Sequence, residues 1–398
     1  MRLDENVLFI IERLRAGGYR ADVVGGPVRD FLLGKTPSDF DLTTDALPEQ
    51  IKSAFSDHRT VDTGIKHGTV ALILDGEQYE ITTYRIDGEY TDSRHPDSVT
   101  FTPDITEDLR RRDFTMNAIA YNPTEGITDP FGGREDVAHG VIRAVGEPRV
   151  RFTEDALRIL RGVRFRSTLG FSVEDDTAAA MRELSPRLSM VSAERIYTEW
   201  KKLIAGAEAY FAISEFSSVI EVFLPELSGL SMPTAERFDA ASPMARMLSL
   251  FLSSGLAVPS AALDRAMRRL KTDTDSRRLG VTALALLEKY PDLSAVSAQR
   301  LLAESTPDAA SLAIDAATVV GRATEEDAER IERAISGGLP YLISHLRISG
   351  DGLVALGYSG RSVGTVLRRL LDLVIDGSLE NDEQALTEAA RGMREMLA

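Results

Sequence analysis

The chain of 398 residues has no cysteine, one tryptophan and only five histidines. Without thiols there are no disulfides, no thiolate metal sites and no cysteine nucleophile, and a reducing cytoplasmic setting is the expectation. The histidines stand apart from one another, so no His-Asp cluster points to an appended metal phosphohydrolase. Positive charge is also in deficit: 46 Lys and Arg face 62 Asp and Glu, a formal net charge of −16. That balance excludes a protein that coats nucleic acid through its global field, and any RNA would have to meet local basic patches. Long apolar runs are missing too. The most apolar window, Met244 to Val258, is interrupted by Arg246 and is too short to span a bilayer. The N-terminal stretch carries Asp4, Glu5 and Glu12, unlike a signal peptide, so no membrane partner is expected.

What is present is concentrated in Val23 to Leu42, VVGGPVRDFLLGKTPSDFDL. A β-branched run ends at Gly25-Gly26, and Pro27 suits the first turn of a helix that carries Arg29 and Asp30. Two glycines let the backbone approach a ligand closely, and the N–H groups of a helix start favour phosphate. Asp39-Phe40-Asp41-Leu42 reads as a second strand, with both carboxylates on one face and Phe40 and Leu42 on the other. Paired carboxylates beside a phosphate cradle can hold one or two Mg2+ ions, the nucleotide's phosphates completing the shell. Either half alone is a common turn or strand end; the order GGxVRD then DxD is specific.

Here the chain resembles the nucleotidyltransferases of the DNA polymerase β superfamily, and more narrowly the class II tRNA nucleotidyltransferases and bacterial poly(A) polymerases. Pro27 replaces the small residue usual after the diglycine. Arg111 to Ala118, RRDFTMNA, is similar to the family's second motif. That likeness implies triphosphate binding by Arg112 and ribose recognition by Asp113 and Asn117. Thr69–Leu74 and Tyr79–Tyr84 read as strands joined at Asp75-Gly76, placing Glu80 as a third metal-ligand candidate beside Asp39 and Asp41 or, equally, as a surface glutamate. The polar stretch Ile86 to Thr100, with Tyr90, Asp92, Arg94 and Pro96, resembles the family's flexible loop and leans against a CC-only enzyme.

In Arg151 to Phe171, Asp155, Arg158, Arg161 and Arg164 recur every third residue, about 60° apart on a helix, while Ala156, Ile159, Leu160 and Val163 form the core-facing stripe. Glu154 to Arg158 resembles the family's EDxxR motif, which implies that Asp155 and Arg158 read the incoming base. A carboxylate accepts from the exocyclic amine of cytosine or adenine, and a guanidinium donates to the neighbouring ring acceptor; uracil and guanine offer a carbonyl instead. Arg161 and Arg164 would neutralise phosphates or brace that pair. Ser192 to Leu203 resembles a further family motif, a helix with no expected chemistry. The segment from Ile348 resembles the tail of CCA-adding enzymes, where Gly360, Arg361, Gly364, Arg368 and Arg369 suit either tRNA backbone contact or a plain helical cap.

The expected fold is α+β: a polymerase β-like head with a mixed sheet (1–138), then an all-helical neck that reads the base (139–206), body (207–300) and tail (301–398). The implied activity is addition of CCA, or its terminal A, to the tRNA 3′ end from CTP and ATP, with Asp39 and Asp41 holding two Mg2+ ions and Gly25, Gly26, Arg29 and Arg112 holding the triphosphate. Alternatives are a poly(A) polymerase of the same family, a CC-only or A-only enzyme, and, from another class, a non-catalytic RNA-binding protein. Oligomeric state is left open.

Overall fold

A computed structural model of the chain describes residues 3–37, 39–88, 98–293 and 296–395. Tyr90, Asp92, Arg94 and Pro96 lie outside them. The chain divides into two compact units, Met1–Pro225 and Glu226–Ala398.

The first unit opens with α1 (Glu5–Ala16), whose N-cap Asp4 accepts from the Val7 N–H and whose apolar stripe Val7, Ile10, Ile11 and Leu14 is buried, as its spacing predicts. Then come β1 (Ala21–Val24), α2 (Gly26–Leu32), β2 (Asp41–Thr44), α3 (Pro48–Ala54), β3 (Arg59–Gly64), β4 (Thr69–Leu74), β5 (Glu77–Thr83), β6 (Arg85–Asp87), β7 (Val99–Phe101) and α4 (Ile105–Arg110). β8 (Ala120–Asn122), β9 (Gly126–Thr128) and α5 (Gly133–His139) complete the sheet region. Seven strands form one mixed sheet in the order β3-β4-β5-β2-β1-β8-β9, with β2 and β5 parallel and the other neighbours antiparallel. The β4–β5 hairpin turns at Asp75 and Gly76, both at positive φ, as the Asp-Gly pair predicts. A core of Val24, Tyr84, Ile105, Leu109, Ala118, Ala120 and Val145 packs α4 and the chain after Arg112 against the sheet.

From β10 (Val141–Ile142) the chain becomes helical: α6 (Pro148–Glu154), α7 (Leu157–Leu169), β11 (Ser172–Val173), α8 (Asp175–Leu184), α9 (Ala193–Ile204), α10 (Ala209–Glu215) and α11 (Ser217–Phe223). One expectation fails here. Arg151 to Leu169 is not a single helix, because Asp155 adopts extended backbone (φ −138°, ψ 105°) between α6 and α7. The every-third-residue progression therefore holds for Arg158, Arg161 and Arg164, while Asp155 stands in the break. Gly162 lets α7 press on the sheet region: a Cβ there would lie 3.1 Å from the Phe114 ring and 2.9 Å from Met181.

In the second unit, α12 (Ala235–Ala240), α13 (Pro243–Ser253), α14 (Pro259–Arg269), α15 (Thr274–Lys289), α16 (Ala298–Ala303), α17 (Pro307–Val319) and α18 (Glu325–Ser336) are followed by α19 (Gly350–Ala355), α20 (Arg361–Ile375) and α21 (Glu383–Glu395). α17 packs on α13 and α15. The last three helices enclose a core of Leu353, Tyr358, Val366, Leu370, Leu371, Val374, Leu386 and Ala390. Gly360, Arg361, Gly364, Arg368 and Arg369 lie on the exposed side of α20 and its cap. Among the described residues no helix is long and apolar enough to cross a membrane.

Candidate active site

β1 delivers the chain into Gly25, which takes φ 82° and ψ −133°, a conformation that a side chain would strain. A Cβ there would also sit 3.2 Å from Nη1 of Arg112. Gly25 is thus glycine for two reasons, backbone conformation and the guanidinium lying over it. Antiparallel pairing sets Asp41 opposite Val24, the residue just before this turn. The first half of the sequence expectation is met: Asp41 and the diglycine bend are neighbours.

Asp39 lies just outside strand β2, which begins at Asp41, so strict alternation does not extend back to it. Both acids are exposed, and they line one pocket of about 440 Å³ with Phe40, Tyr79 and Glu80. Phe40, expected to turn to the opposite face, borders that same pocket. Neither carboxylate takes part in a hydrogen bond or close ion pair with another described residue, which leaves hard oxygen donors available for a divalent cation. Glu80 stands beside Asp41 in the parallel β2–β5 register. Among the described residues no group of three or more His, Asp or Glu side chains is already gathered to hold a metal. The donor set that fits a cation is the aspartate pair, open to further oxygen ligands from a substrate.

Arg112 is held from behind by Asp108, a fully buried acid on α4 that faces it at 3.6 Å. Asp108 also accepts from Arg111 Nη2 at 2.8 Å, from the Arg85 N–H at 3.3 Å and from the Thr43 hydroxyl at 3.3 Å, on the strand that carries Asp41. Burial alone would raise the Asp108 pKa, but the two arginines outweigh it and hold it below the usual carboxylate range. Burial lowers the pKa of Arg112, opposed by Asp108 and then Asp41, and its Nε is buried with no partner among the described residues. A guanidinium in that state favours an arriving polyanion.

Arg29 is buried, its Nη1 donating to Oδ1 of Asn117 at 2.7 Å and its Nη2 to Asp30 at 2.7 Å. Asn117 in turn donates to Asp113 at 3.2 Å. Asp113 is the hub: its Oδ1 takes the Phe114 N–H at 2.8 Å, and its Oδ2 takes Nε of Arg161 at 2.7 Å. Burial pushes its pKa up, but Arg161, Arg158 and Asn117 overcome this and hold it well below the carboxylate range. These contacts make Asp113 and Asn117 a brace between α2 and α7. Arg161 and Arg29 also approach the Phe165 ring, at 5.7 Å and 5.3 Å, and Arg164 covers it at 3.6 Å.

Arg158 is buried and tethered to Glu154 at 2.7 Å and to the Arg111 carbonyl at 2.9 Å. Asp155 caps the first turn of α7 through the Leu157 N–H at 3.0 Å and pairs with Arg195 at 2.8 Å. Arg164 donates to Glu199 at 2.9 Å. Reading the sequence missed Asp108, Glu154, Phe165, Arg195 and Glu199. The first had a visible signal, since Asp108 lies three and four positions before Arg111 and Arg112 on one helical turn; Arg195 and Glu199 act across 35 or more residues and had none.

A mixed-sheet head carrying an aspartate pair beside a diglycine turn and buried arginines defines a nucleotidyltransferase, and residues 21–143 match the model of the poly A polymerase head domain. Residues 170–230 match the probable RNA and SrmB-binding site of polymerase A. The chain belongs to the CCA-adding enzyme family. It is 36% identical to the CCA-adding enzyme of Geobacillus thermodenitrificans across 96% of this chain and 95% of that protein, and 50% identical to that of Leuconostoc mesenteroides over 200 residues, 50% of this chain and 49% of that protein. The crystal structure of the Bacillus stearothermophilus CCA-adding enzyme in complex with CTP is similar over 98% of this chain and 97% of that one, with a TM-score of 0.80 and 31% identity. The Thermotoga maritima CCA-adding enzyme complexed with tRNA shares the fold at a TM-score of 0.71, with 21% identity over 98% and 97% of the two chains.

Proposed function

We propose that this chain is a tRNA nucleotidyltransferase that builds CCA on the 3′ end of tRNA from CTP and ATP, releasing pyrophosphate. The observation that carries this reading is the close approach of Arg112 to Gly25 with Asp41 in register beside the same turn. Relatives named as CCA-adding enzymes along nearly the whole chain favour CCA addition over a poly(A) activity.

In this reading Gly25 and Gly26 let the triphosphate approach the backbone, and Arg112 and Arg29 supply its counter-charge. Asp39 and Asp41 would hold two Mg2+ ions; when bound, these lower the pKa of the primer 3′-hydroxyl and steady the leaving pyrophosphate. Asp113 and Asn117 keep Arg29 and Arg161 aimed at the nucleotide and are the candidates for its ribose. Asp155 and Arg158 read the base. Each Asp155 oxygen keeps a free lone pair beyond its internal partner, and Arg158 keeps part of its five-donor fork, enough to meet an amine and the ring acceptor beside it. Arg161 and Arg164, held by Asp113 and Glu199, would neutralise phosphates or brace that pair. The four-part division into head (1–138), neck (139–206), body (207–300) and tail (301–398) belongs to the same proposal, with the exposed arginines of α20 offered to tRNA backbone.

The test is a tRNA that lacks its 3′ CCA, incubated with CTP alone, ATP alone and both. Extension by two nucleotides with CTP and by three with the mixture is expected. A long homopolymer from ATP alone would replace this reading with poly(A) synthesis; stalling at CC in the mixture would make it a CC-adding enzyme, and extension only of tRNA already ending in CC an A-adding one.

A further inference from the structure

We propose that Arg195 is a specificity-determining positioning residue: from α9 it aims the carboxylate of Asp155, so that the choice of base depends on a side chain that need not touch the nucleotide. The inference rests on Asp155 reading the base, as proposed above.

Asp155 has little local support. It stands in the extended break between α6 and α7, and an aspartate there can turn about two side-chain torsions. Two contacts remove that freedom. Oδ1 accepts the Leu157 N–H at 3.0 Å, and Oδ2 accepts Nη2 of Arg195 at 2.8 Å, from 40 residues further along the chain. Both side chains are largely enclosed, 15% and 24% exposed, so the pair is not a solvent-screened surface bridge. Arg195 has no other carboxylate partner among the described residues, and its Nη1 is buried without any partner. The guanidinium is therefore devoted to Asp155.

One helical turn later Glu199 takes Nε of Arg164 at 2.9 Å and faces Nη1 of Arg161 at 3.9 Å. α9 thus presents a cation to Asp155 and an anion to the two arginines, on one face of the helix. A helix that only filled the core would not need this matched pair of charges.

The physical consequence concerns rejection. A fixed acceptor welcomes the amine of cytosine or adenine and repels the carbonyl that uracil or guanine puts in its place. If the carboxylate can swing aside, the repulsion is relieved and the wrong bases gain more than the right ones lose. Losing Arg195 should therefore change ratios between nucleotides, whereas a purely structural role would scale all of them together.

The experiment compares the parent with Arg195→Leu, Arg195→Lys and Asp155→Ala, measuring kcat and KM for CTP against UTP on tRNA lacking CCA and for ATP against GTP on tRNA ending in CC. Arg195→Leu is expected to lower both correct-to-incorrect kcat/KM ratios by about tenfold, the scale of one hydrogen bond to a charged group, and Arg195→Lys to restore most of the difference. Should the leucine variant not fold by circular dichroism, Arg195→Gln carries the same comparison. If Asp155→Ala loses discrimination while Arg195→Leu keeps the parent's ratios, or lowers all four nucleotides equally, the inference about Arg195 falls alone. If Asp155→Ala itself keeps the parent's ratios, the base-reading assignment falls and takes the inference with it.

Discussion

Arg161 reaches from α7 to the carboxylate of Asp113, 48 residues away, with Nε and Nη2 both 2.7 Å from the same oxygen. This pair ties the arginine-bearing helix to the Arg111–Ala118 stretch of the head and, through Asn117, to Arg29 at the diglycine turn. Removing the Asp113 charge leaves Arg161, whose side chain is 35% exposed, with Glu199 at 3.9 Å as its remaining acidic neighbour. Asp113→Asn should destabilise the first unit by about 1–3 kcal/mol, seen as a lower urea midpoint, and should also reduce nucleotide affinity because Arg29 and Arg161 lose their common anchor.

The same pair sets a pH dependence with a definite sign. The folded-state pKa of Asp113 is depressed, so its contribution is present above the unfolded value, near 4, and is lost as pH falls from there towards the folded value. Urea midpoints of the parent and of Asp113→Asn, followed from pH 7 down to pH 3, should draw closer as the pH falls below about 4. A gap that stays constant would show that the carboxylate charge is not what the fold uses.

Gly25 cannot be enlarged cheaply. In Gly25→Ala the new methyl meets Arg112 at 3.2 Å, and an L-residue is strained at φ 82°. The bend and the guanidinium should both shift, raising KM for CTP and ATP by on the order of tenfold, the equivalent of about 1.4 kcal/mol. Affinity for tRNA, measured by filter binding without nucleotide, should be unchanged.

Asp108 is the support behind Arg112. Asp108→Asn removes the nearest counter-charge of Arg111 and Arg112, leaving Arg111 with Asp87 at 3.9 Å, and loosens the Thr43 and Arg85 contacts that join β2 and β6 to α4. KM for both nucleotides should rise together, by about ten- to a hundredfold for a lost charge-assisted contact network, while the ratio of CTP to UTP use stays at the parent's value. A change in that ratio would mean that Asp108 acts on the base rather than on the triphosphate.

Asp41→Ala removes an oxygen donor that no described residue engages, so folding should be spared. Single-turnover addition should fall by on the order of a thousandfold, the scale of losing one electrostatic element of a transition state. Activity at the parent's rate would instead favour the non-catalytic RNA-binding reading.

Much of this protein was legible in its residues. The order of glycine pair, arginine and aspartate pair pointed to a nucleotide site because short-range stereochemistry decides it: glycine suits the bend, and antiparallel pairing of β1 with β2 brings Asp41 back beside Val24. The amphipathic stripe of α1 and the Asp75-Gly76 turn were equally local, and matched. What the sequence by itself determined was therefore the chemistry available and the elements that carry it. The tertiary structure decided how those groups are held. Whether Asp155 lay in a helix or in a break, how Asp113 is held by Arg161, and which charges stand behind Asp155 and Arg164 all depend on contacts across 35 to 48 residues or on packing of one element upon another. Local propensity carries no information about such partners, because a buried ion pair is stable only where the rest of the fold excludes water from both of its ends.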